Sequence, residues 1–457
     1  MGVMPITDSM FLLGESREHP MHVGGLQLYD VPAGAGDDFV GELHRELLTM
    51  VDLKPLFRRR PAGPVNTVGQ FAWSRDDQFD VEYHVRLSAL AKPGRVRELL
   101  ELVSRMHGSL LDRHRPLWEF HLIEGLQDNR FATYTKIHHA LVDGVAALRL
   151  LSRSLSEDVD ERGLVPPWVV RPRDQTRAPR GGGNDLAGNL RAVAGALREM
   201  VGMGPAAIKV ANEFFREQAA ASPFQAPRSM LNVPITGARR FAAQGWPIDR
   251  LKAVGAASGG TLNDVMLAMC AGALRRYLQD FDALPDKPLV AAVPMSLRPS
   301  DAADGGGNAV GAILTTLATD LPDPADRLAA ITASTAKAKQ LNAQLTSTQI
   351  LALSAILTAP VILAAIPGAR NLTPPPFNLL ISNVPGPRNP LYWNGAKLVG
   401  QYPLSIPLDG QALNITAVSY AGSLEFGLTG CRRSVPHLQR MLGYLDQSLA
   451  ELEKATG

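Results

Sequence analysis

The fold is decided by one stretch of the sequence, Lys136-Ile137-His138-His139-Ala140-Leu141-Val142-Asp143-Gly144. Upstream of it, residues 131–137 alternate as in a β-strand, and downstream apolar residues recur at helical spacing from Val145 to Leu155. Successive strand side chains leave on opposite sides, so only one of His138 and His139 can enter a given cleft. A cleft histidine is a candidate general base, because it titrates near neutrality and can accept a hydroxyl proton. A core histidine beside an Asp-Gly surface turn is an equally good interpretation of these residues alone.

Length and composition limit the class of protein. The 457 residues exceed the size at which one hydrophobic core keeps growing, so we expect two domains. Lys and Arg number 46 against 44 Asp and Glu, a balance that argues against nucleic acid as the main partner. Two cysteines, Cys270 and Cys431, form no disulfide framework and fit a reducing cytoplasm. The N-terminus lacks a basic-then-apolar leader, so we expect no secretion.

The pattern along the chain predicts its division into domains. Residues 117–139 predict a hairpin that delivers the two histidines at the end of its second strand. Residues 81–85 predict a short strand, and the Pro- and Gly-rich run 166–185 predicts an exposed linker. Residues 186–218 predict a helix whose wide apolar face contacts the other domain or lipid. We therefore predict an N-terminal domain at 1–170, a linker and crossover helix at 171–226, and a C-terminal domain at 227–457.

The most apolar segment runs from Ile350 to Ile366. Its seventeen residues carry no charge, but Pro360 interrupts them, and the length is at the short limit for crossing a bilayer. We predict a kinked helix that is buried or leans on a membrane.

Several polar residues outside the histidine stretch are candidates for site roles. Asn263 and Asp264 begin a strong helix, where a carboxylate suits the positive dipole end. Arg298 follows an apolar strand and is either a solvated charge or a site residue, and a rigid turn after Asn383 holds that amide at a fixed angle. No metal site is predicted, because His19 and His22 lack a nearby third ligand.

Six motifs carry a resemblance to a known family. The histidine stretch resembles the HHxxxDG signature of CoA- and carrier-dependent acyltransferases. The others are the start of the chain at 11–25, a PLW element ending at Trp118, an Asn-Asp pair at 263–264, a VPxSLRP block ending at Pro299, and the SNVPGP string at 382–387. In this order they resemble the bacterial wax ester synthase/diacylglycerol acyltransferases.

This resemblance implies a fold and a reaction. The fold is mixed α/β, an α+β arrangement of two chloramphenicol-acetyltransferase-like subdomains around a central tunnel. The reaction is acyl transfer from fatty acyl-CoA, a substrate rather than a cofactor, to diacylglycerol or a long-chain alcohol. Long apolar substrates also suit a cytoplasmic protein held peripherally at the inner membrane or at lipid droplets.

The resemblance also implies roles for individual residues. His139 is the general base, His138 acts through local packing, and both belong to the predicted catalytic set with Asp143 and Gly144. Asp143 pairs with an arginine in the tunnel wall, for which Arg298 is our candidate, although a His139–Asp143 dyad is the alternative. Supporting roles fall to Trp118, which we expect to pack near the cleft, and to Asn263, Asp264 and Asn383, the last as an oxyanion donor or positioner.

Two alternatives from other classes stay open. A condensation-type enzyme that forms amides or esters with other acceptors shares the motif and fold, but normally sits within larger multidomain chains. A non-catalytic protein that binds lipid droplets or membranes would keep the apolar helices and could lose the site. An intact histidine motif disfavours the second alternative.

Overall fold

The structure, a computed structural model, describes residues 2–64, 70–171, 226–296, 310–344 and 375–457. The predicted helix at 186–218, the apolar segment at 350–366 and the candidate Arg298 lie outside these residues. Almost all of the predicted linker at 171–226 lies outside them as well.

The described residues form strands and helices in alternating groups. The strands are β1 (Gly2–Val3), β2 (His22–Asp30), β3 (Arg59–Pro64), β4 (Phe71–Arg75), β5 (Val85–Ala89), β6 (Trp118–Leu126), β7 (Arg130–His138), β8 (Arg239–Pro247), β9 (Val290–Ser296), β10 (Val310–Thr316), β11 (Leu379–Val384), β12 (Tyr392–Trp393), β13 (Ala396–Leu404), β14 (Leu413–Tyr420) and β15 (Ser423–Cys431). The helices are α1 (Ile6–Gly14), α2 (Phe39–Thr49), α3 (Val81–His84), α4 (Val96–His107), α5 (Gly144–Ser152), α6 (Ile248–Ser258), α7 (Leu262–Gln279), α8 (Pro324–Gln344) and α9 (Arg440–Thr456). None of these described helices has the length and hydropathy to cross a bilayer.

The first large sheet carries the histidine stretch. Its strand order is β12-β13-β2-β7-β6-β5, antiparallel throughout except for the parallel pair β5–β6. The predicted hairpin is present as β6 and β7. Its turn places Asp128 and Asn129 at φ values of 62° and 52°. Asp and Asn tolerate this left-handed conformation, which suits a tight hairpin turn.

The second large sheet has the order β10-β9-β11-β14-β15-β8, with β11 parallel to both of its neighbours. The two sheets do not divide at the predicted domain boundary. Strands β12 and β13, at residues 392–404, belong by sequence to the predicted C-terminal domain, yet β13 pairs with β2 of the first sheet. Hydrogen bonding between β13 and β2 links these distant segments, and local periodicity carries no signal for it.

Helices pack on and between the sheets. α7 lies at the centre of the core beside the second sheet, where its apolar residues from Val265 to Leu274 are completely buried. α4 lies between the two sheets, where its Leu99, Leu100 and Val103 pack with Phe241 of β8. α5 bridges the sheets, because its Leu148 packs on Val384 and Val418.

Two predictions from local pattern are wrong in detail. Residues 81–84 form a short helix and only the next segment is a strand, because the Asp80 carboxylate accepts hydrogen bonds from the N–H groups of Glu82 and Tyr83 and caps that helix. The start of the predicted exposed linker is buried. Trp168 stacks on Trp118 with ring centroids 5.1 Å apart, so aromatic packing holds this segment against the first sheet.

Candidate active site

The end of strand β7 positions both histidines. The N–H of His138 donates to the Leu117 carbonyl at 3.0 Å, and the N–H of His139 donates to the Met21 carbonyl on the opposite side at 2.9 Å. This alternation shows that the pleat continues to His139, so the two side chains leave on opposite faces. His138 is completely buried, and His139 is partly exposed.

His138 is fixed by protein contacts on both ring nitrogens. Its Nδ1 accepts the Ala140 N–H at 3.1 Å, and its Nε2 lies 3.3 Å from the Glu15 carboxylate. A backbone N–H can only donate, so Nδ1 is unprotonated and the ring proton is on Nε2, facing Glu15. With both nitrogens engaged, His138 is a structural element of the turn.

Glu15 is a site-supporting residue that sequence reasoning did not single out. Its carboxylate also accepts the Arg113 Nε–H at 3.0 Å, and Arg113 donates to the Leu12 carbonyl at 2.6 Å. Burial alone would raise the pKa of Glu15, but His138 and Arg113 outweigh it and lower that pKa. The only signal was the resemblance of residues 11–25 to the start of the family, which does not show what Glu15 contacts.

His139 lies in a different environment. Its ring stacks on Phe11 of α1, with centroids 4.1 Å apart, and its Nδ1 is buried with no hydrogen-bond partner among the described residues. Burial lowers the pKa of His139 to about 4, against an opposing contribution from the Asp143 carboxylate. The imidazole is therefore neutral at pH 7 and able to accept a proton.

Asp143 begins helix α5. Its carboxylate accepts the Ala146 N–H at 2.8 Å, the hydrogen bond of an N-cap, and its charge favours the positive end of the helix dipole. In this structure Asp143 therefore has a structural role as the cap of α5. The predicted partner Arg298 lies outside the described residues, so the ion pair stays a prediction. Among the described residues, no close contact requires a glycine at position 144, since a Cβ on Gly144 would meet only a Val23 methyl at 3.9 Å.

Replacing Asp143 tests the cap directly. We expect Asp143→Ala to lower the free energy of unfolding by about 1 kcal/mol and to lower activity, whereas Asp143→Asn, which can still cap, keeps most of both. Chemical denaturation and an acyl-transfer assay provide the measurements. A fully stable but inactive Asp143→Asn would instead support a His139–Asp143 dyad. Additive effects of Asp143→Ala and Arg298→Ala on stability would show that these two residues do not touch.

Trp118 lies in a buried cluster of rings on the α5 side of the first sheet. It stacks on His84 with centroids 4.6 Å apart, and its Nε1–H donates to the Phe57 carbonyl at 2.9 Å. These contacts place Trp118 as a packing residue at the start of β6, the strand that pairs with the histidine-bearing β7.

The Asn263–Asp264 pair lies at the start of α7. Asp264 accepts the Thr261 N–H at 2.9 Å in a capping box, and its other oxygen accepts the Thr335 hydroxyl of α8 at 2.6 Å. Asp264 therefore caps α7 and joins it to α8. Asn263 is partly exposed beside it.

Asn383 lies on β11 of the second sheet. The next residue, Val384, packs on Leu148 of α5, so strand alternation directs Asn383 to the opposite side, together with Ile381. This placement does not support a direct oxyanion role, which stays a prediction.

A buried ion pair supports the strand that carries the histidines. Lys136 and Glu119 lie opposite each other on β7 and β6, with the Lys136 Nζ 3.0 Å from the carboxylate. Lys136 also donates to the carbonyl of Met106 in the last turn of α4 and to that of Ser109 just after the helix, both at 3.2 Å. Burial alone would raise the pKa of Glu119, but His121 and Lys136 lower it to about 2.

Within the residues that the structure describes, no group of three or more His, Cys, Asp or Glu side chains is placed to hold a metal ion. His19 instead lies 3.0 Å from Asp409, and the His22 Nε2–H donates to the His107 carbonyl at 2.8 Å.

The chain resembles known proteins along its whole length. The sequence models of the wax ester synthase/diacylglycerol acyltransferase catalytic domain and of the WS/DGAT C-terminal domain match residues 4–266 and 306–453. A Mycobacterium bovis protein named as a diacylglycerol O-acyltransferase is 54% identical over 457 residues, which cover 100% of both chains.

Two solved structures share the fold. The wax ester synthase/diacylglycerol acyltransferase of Marinobacter aquaeolei is 43% identical, with a TM-score of 0.77 and 100% of both chains covered. The first condensation domain of the CDA synthetase is 17% identical, with a TM-score of 0.56 over 99% of this chain and 95% of that chain. The second match shows the fold alone. Together they confirm the predicted mixed α/β fold class.

Proposed function

Since the chain belongs to the wax ester synthase/diacylglycerol acyltransferase family, we propose that it transfers a fatty acyl group from acyl-CoA to a hydroxyl. The products are triacylglycerol from diacylglycerol, a wax ester from a long-chain alcohol, or both. Relatives with these activities in their names support the proposal.

The proposed mechanism uses His139 as the general base. The neutral imidazole accepts the proton of the acceptor hydroxyl while the oxygen attacks the thioester carbonyl carbon. The tetrahedral intermediate collapses, the carbon–sulfur bond breaks, and the imidazolium returns its proton to the CoA sulfur. An ester and free CoA leave, and His139 is neutral again.

One observation carries this assignment to His139. Of the two adjacent histidines, His138 is completely buried, accepts the Ala140 N–H and lies 3.3 Å from the Glu15 carboxylate, whereas His139 is partly exposed and neutral at pH 7. The test is an assay of the purified protein with a long-chain acyl-CoA and, side by side, diacylglycerol and hexadecanol. Absence of ester with both acceptors would overturn the proposal.

The two alternatives from the sequence are less well supported. The condensation domain is similar only in fold, at 17% identity, whereas the family match covers both halves of the chain. A non-catalytic lipid-binding protein has no need for the fixed His138 and the neutral His139. The same assay, with an amine acceptor added, separates all three.

We expect the pH dependence of kcat/KM to report the buried base. Burial lowers the pKa of His139 to about 4, so the base stays unprotonated down to mildly acidic pH. kcat/KM should be nearly constant above about pH 5 and fall at lower pH. Initial rates from neutral to acidic pH provide the measurement. A decline centred near 6.5, the ordinary value for histidine, would contradict the burial argument.

Acid stability is the necessary control. Burial lowers the pKa of His84 to about 4 and that of His107 to about 3, from an ordinary value of 6.5. Between pH 6.5 and these lowered pKa values, the unfolded chain binds protons that the folded chain does not. The free energy of unfolding is therefore unaffected by these two histidines above about pH 6.5, and it decreases as the pH falls below that value. Circular dichroism at each pH separates unfolding from protonation of His139.

We also propose that the protein associates peripherally with the cytoplasmic face of the inner membrane or with lipid droplets. The uncharged, proline-interrupted segment at 350–366 and the apolar substrates support this placement. High salt or carbonate should release the protein from isolated membranes. Release by detergent alone would show that a segment inserts.

A further inference from the structure

A cavity of about 390 Å³ lies where helix α5 bridges the two sheets. One wall is formed by α5, including Leu148 and Ser152, and another by the turn at 384–387. Val418 of the second sheet and Gln401 of the first sheet form further parts of the wall, and the exposed side chains of Arg149, Arg153 and Glu157 also line the cavity. Its size is within the range of small-molecule sites, and its walls are mainly apolar.

Gln401 is an unusual residue for such a wall. Its side chain is completely buried, yet neither its Oε1 nor its Nε2 has a hydrogen-bond partner among the described residues. Buried side-chain amides are normally paired, because an unpaired amide loses its bonds to water without replacement.

Gln401 is the first member of a polar row on one face of the sheet. In the strand register it lies opposite Gln27 on β2, and Gln27 lies opposite Thr133 on β7. The Gln27 Nε2 and the Oγ1 of Thr135, two residues along β7, are also buried and unpartnered in the described part of the chain.

Helix α5 covers the face that carries this row. A Cβ on Gly25, the residue opposite Thr135, would lie 2.6 Å from a Leu151 methyl of α5. Thr133, Thr135, Ile137 and His139 occupy alternate positions along β7, so the row and the candidate base share one side of the strand. The polar row therefore runs along one side of the first sheet, from Gln401 at the cavity wall to the end of β7 where His139 lies.

The chemistry of the row indicates its ligand. Amides and hydroxyls offer donors and acceptors but no charge, so they suit neutral carbonyl or ether oxygens rather than carboxylates or phosphates. A long-chain alcohol has one oxygen, which must lie at the base. A diacylglycerol carries two ester groups beside its hydroxyl, so an ester oxygen can meet Gln401 at the cavity wall while the hydroxyl lies at the base.

We propose that the cavity at Gln401 binds the ester-bearing glycerol part of a diacylglycerol acceptor, and that Gln401 selects this acceptor over long-chain alcohols. The inference rests on the proposed acyltransferase function. Val384, Val418 and Leu148 would contact the apolar portion of the same acceptor.

The test measures kcat/KM with palmitoyl-CoA and either dioleoylglycerol or hexadecanol, for the parent protein and Gln401→Leu. We expect the value with dioleoylglycerol to fall about 10- to 100-fold, and the value with hexadecanol to change less than about twofold. If Gln401→Leu folds poorly, Gln401→Met takes its place, because methionine has nearly the same volume as glutamine. It should show the same fall in kcat/KM with dioleoylglycerol and the same small change with hexadecanol. Gln244→Leu, the same change on strand β8 of the second sheet, is the matched control and should alter neither value.

Three outcomes overturn the inference. An equal loss with both acceptors would show that Gln401 supports the fold or the common site. No change with either acceptor would show that the cavity holds only solvent. A loss confined to hexadecanol would show that the row binds the alcohol instead. If the parent protein transfers no acyl group to either acceptor, the proposed function itself fails; binding of dioleoylglycerol, measured by the shift in melting temperature of the parent and of Gln401→Met, then tests the site separately.

Discussion

Replacing His139 with alanine will lower kcat/KM for acyl transfer by at least about 100-fold, because a positioned general base contributes about 10²–10⁴-fold. The fold should survive. His139 makes no side-chain hydrogen bond at Nδ1 within the described residues, and its main packing contact is the stacked ring of Phe11. Steady-state kinetics with diacylglycerol and hexadecanol, together with the melting temperature, provide the measurements.

His138→Ala is the control for this prediction. It removes a buried ring that accepts the Ala140 N–H and faces the Glu15 carboxylate, so its loss of activity should follow a loss of stability. His138→Ala should therefore lower the melting temperature more than His139→Ala does. Activity of His139→Ala within about tenfold of the parent would exclude His139 as the base.

The second large effect concerns the Lys136–Glu119 ion pair. Lys136→Met should lower the free energy of unfolding by about 3–5 kcal/mol, because it leaves a buried carboxylate without its nearest cation. Arg86, 3.4 Å from the same carboxylate, should keep the loss toward the lower end of this range. Urea denaturation of the purified protein measures it.

Two further variants make the second prediction specific. Lys136→Met combined with Glu119→Leu removes both charges and should recover much of the lost stability, since apolar replacement of a whole buried pair is often neutral. Arg97→Ala breaks the exposed Arg97–Glu101 pair and should cost less than about 1 kcal/mol. An equally small effect of Lys136→Met would mean that Glu119 is effectively solvated.

Local pattern was sufficient for the part of the site that is contiguous in sequence. Alternation, turn residues and helical spacing predicted the hairpin, the two histidines at its end and the helix after Asp143, because each depends on neighbours a few residues away. The turn alone does not predict the pairing of Lys136 with Glu119, because the register of the hairpin shifts by one residue between Ile123 and Leu126.

The rest depended on contacts between distant segments. Glu15 meets His138 across a sequence separation of 123 residues, and Gln401 meets Gln27 only through the pairing of β13 with β2. Neither contact follows from periodicity within one element. The helix at 81–84 was missed for a local reason, since the Asp80 cap overrode the strand propensity of Val81 and Tyr83.

The pairing of β13 with β2 also sets an order of events during synthesis. Strand β2 emerges from the ribosome more than 360 residues before its partner, since the pair joins Asp30 to Lys397. Until then β2 has an unpaired edge, and the core beside it lacks Trp393, Ala396 and Leu398. The first sheet therefore cannot be completed as an independent N-terminal unit. The hairpin that carries the histidines reaches its final environment only when nearly the whole chain has been made, so assembly of the candidate active site is coupled to completion of the protein.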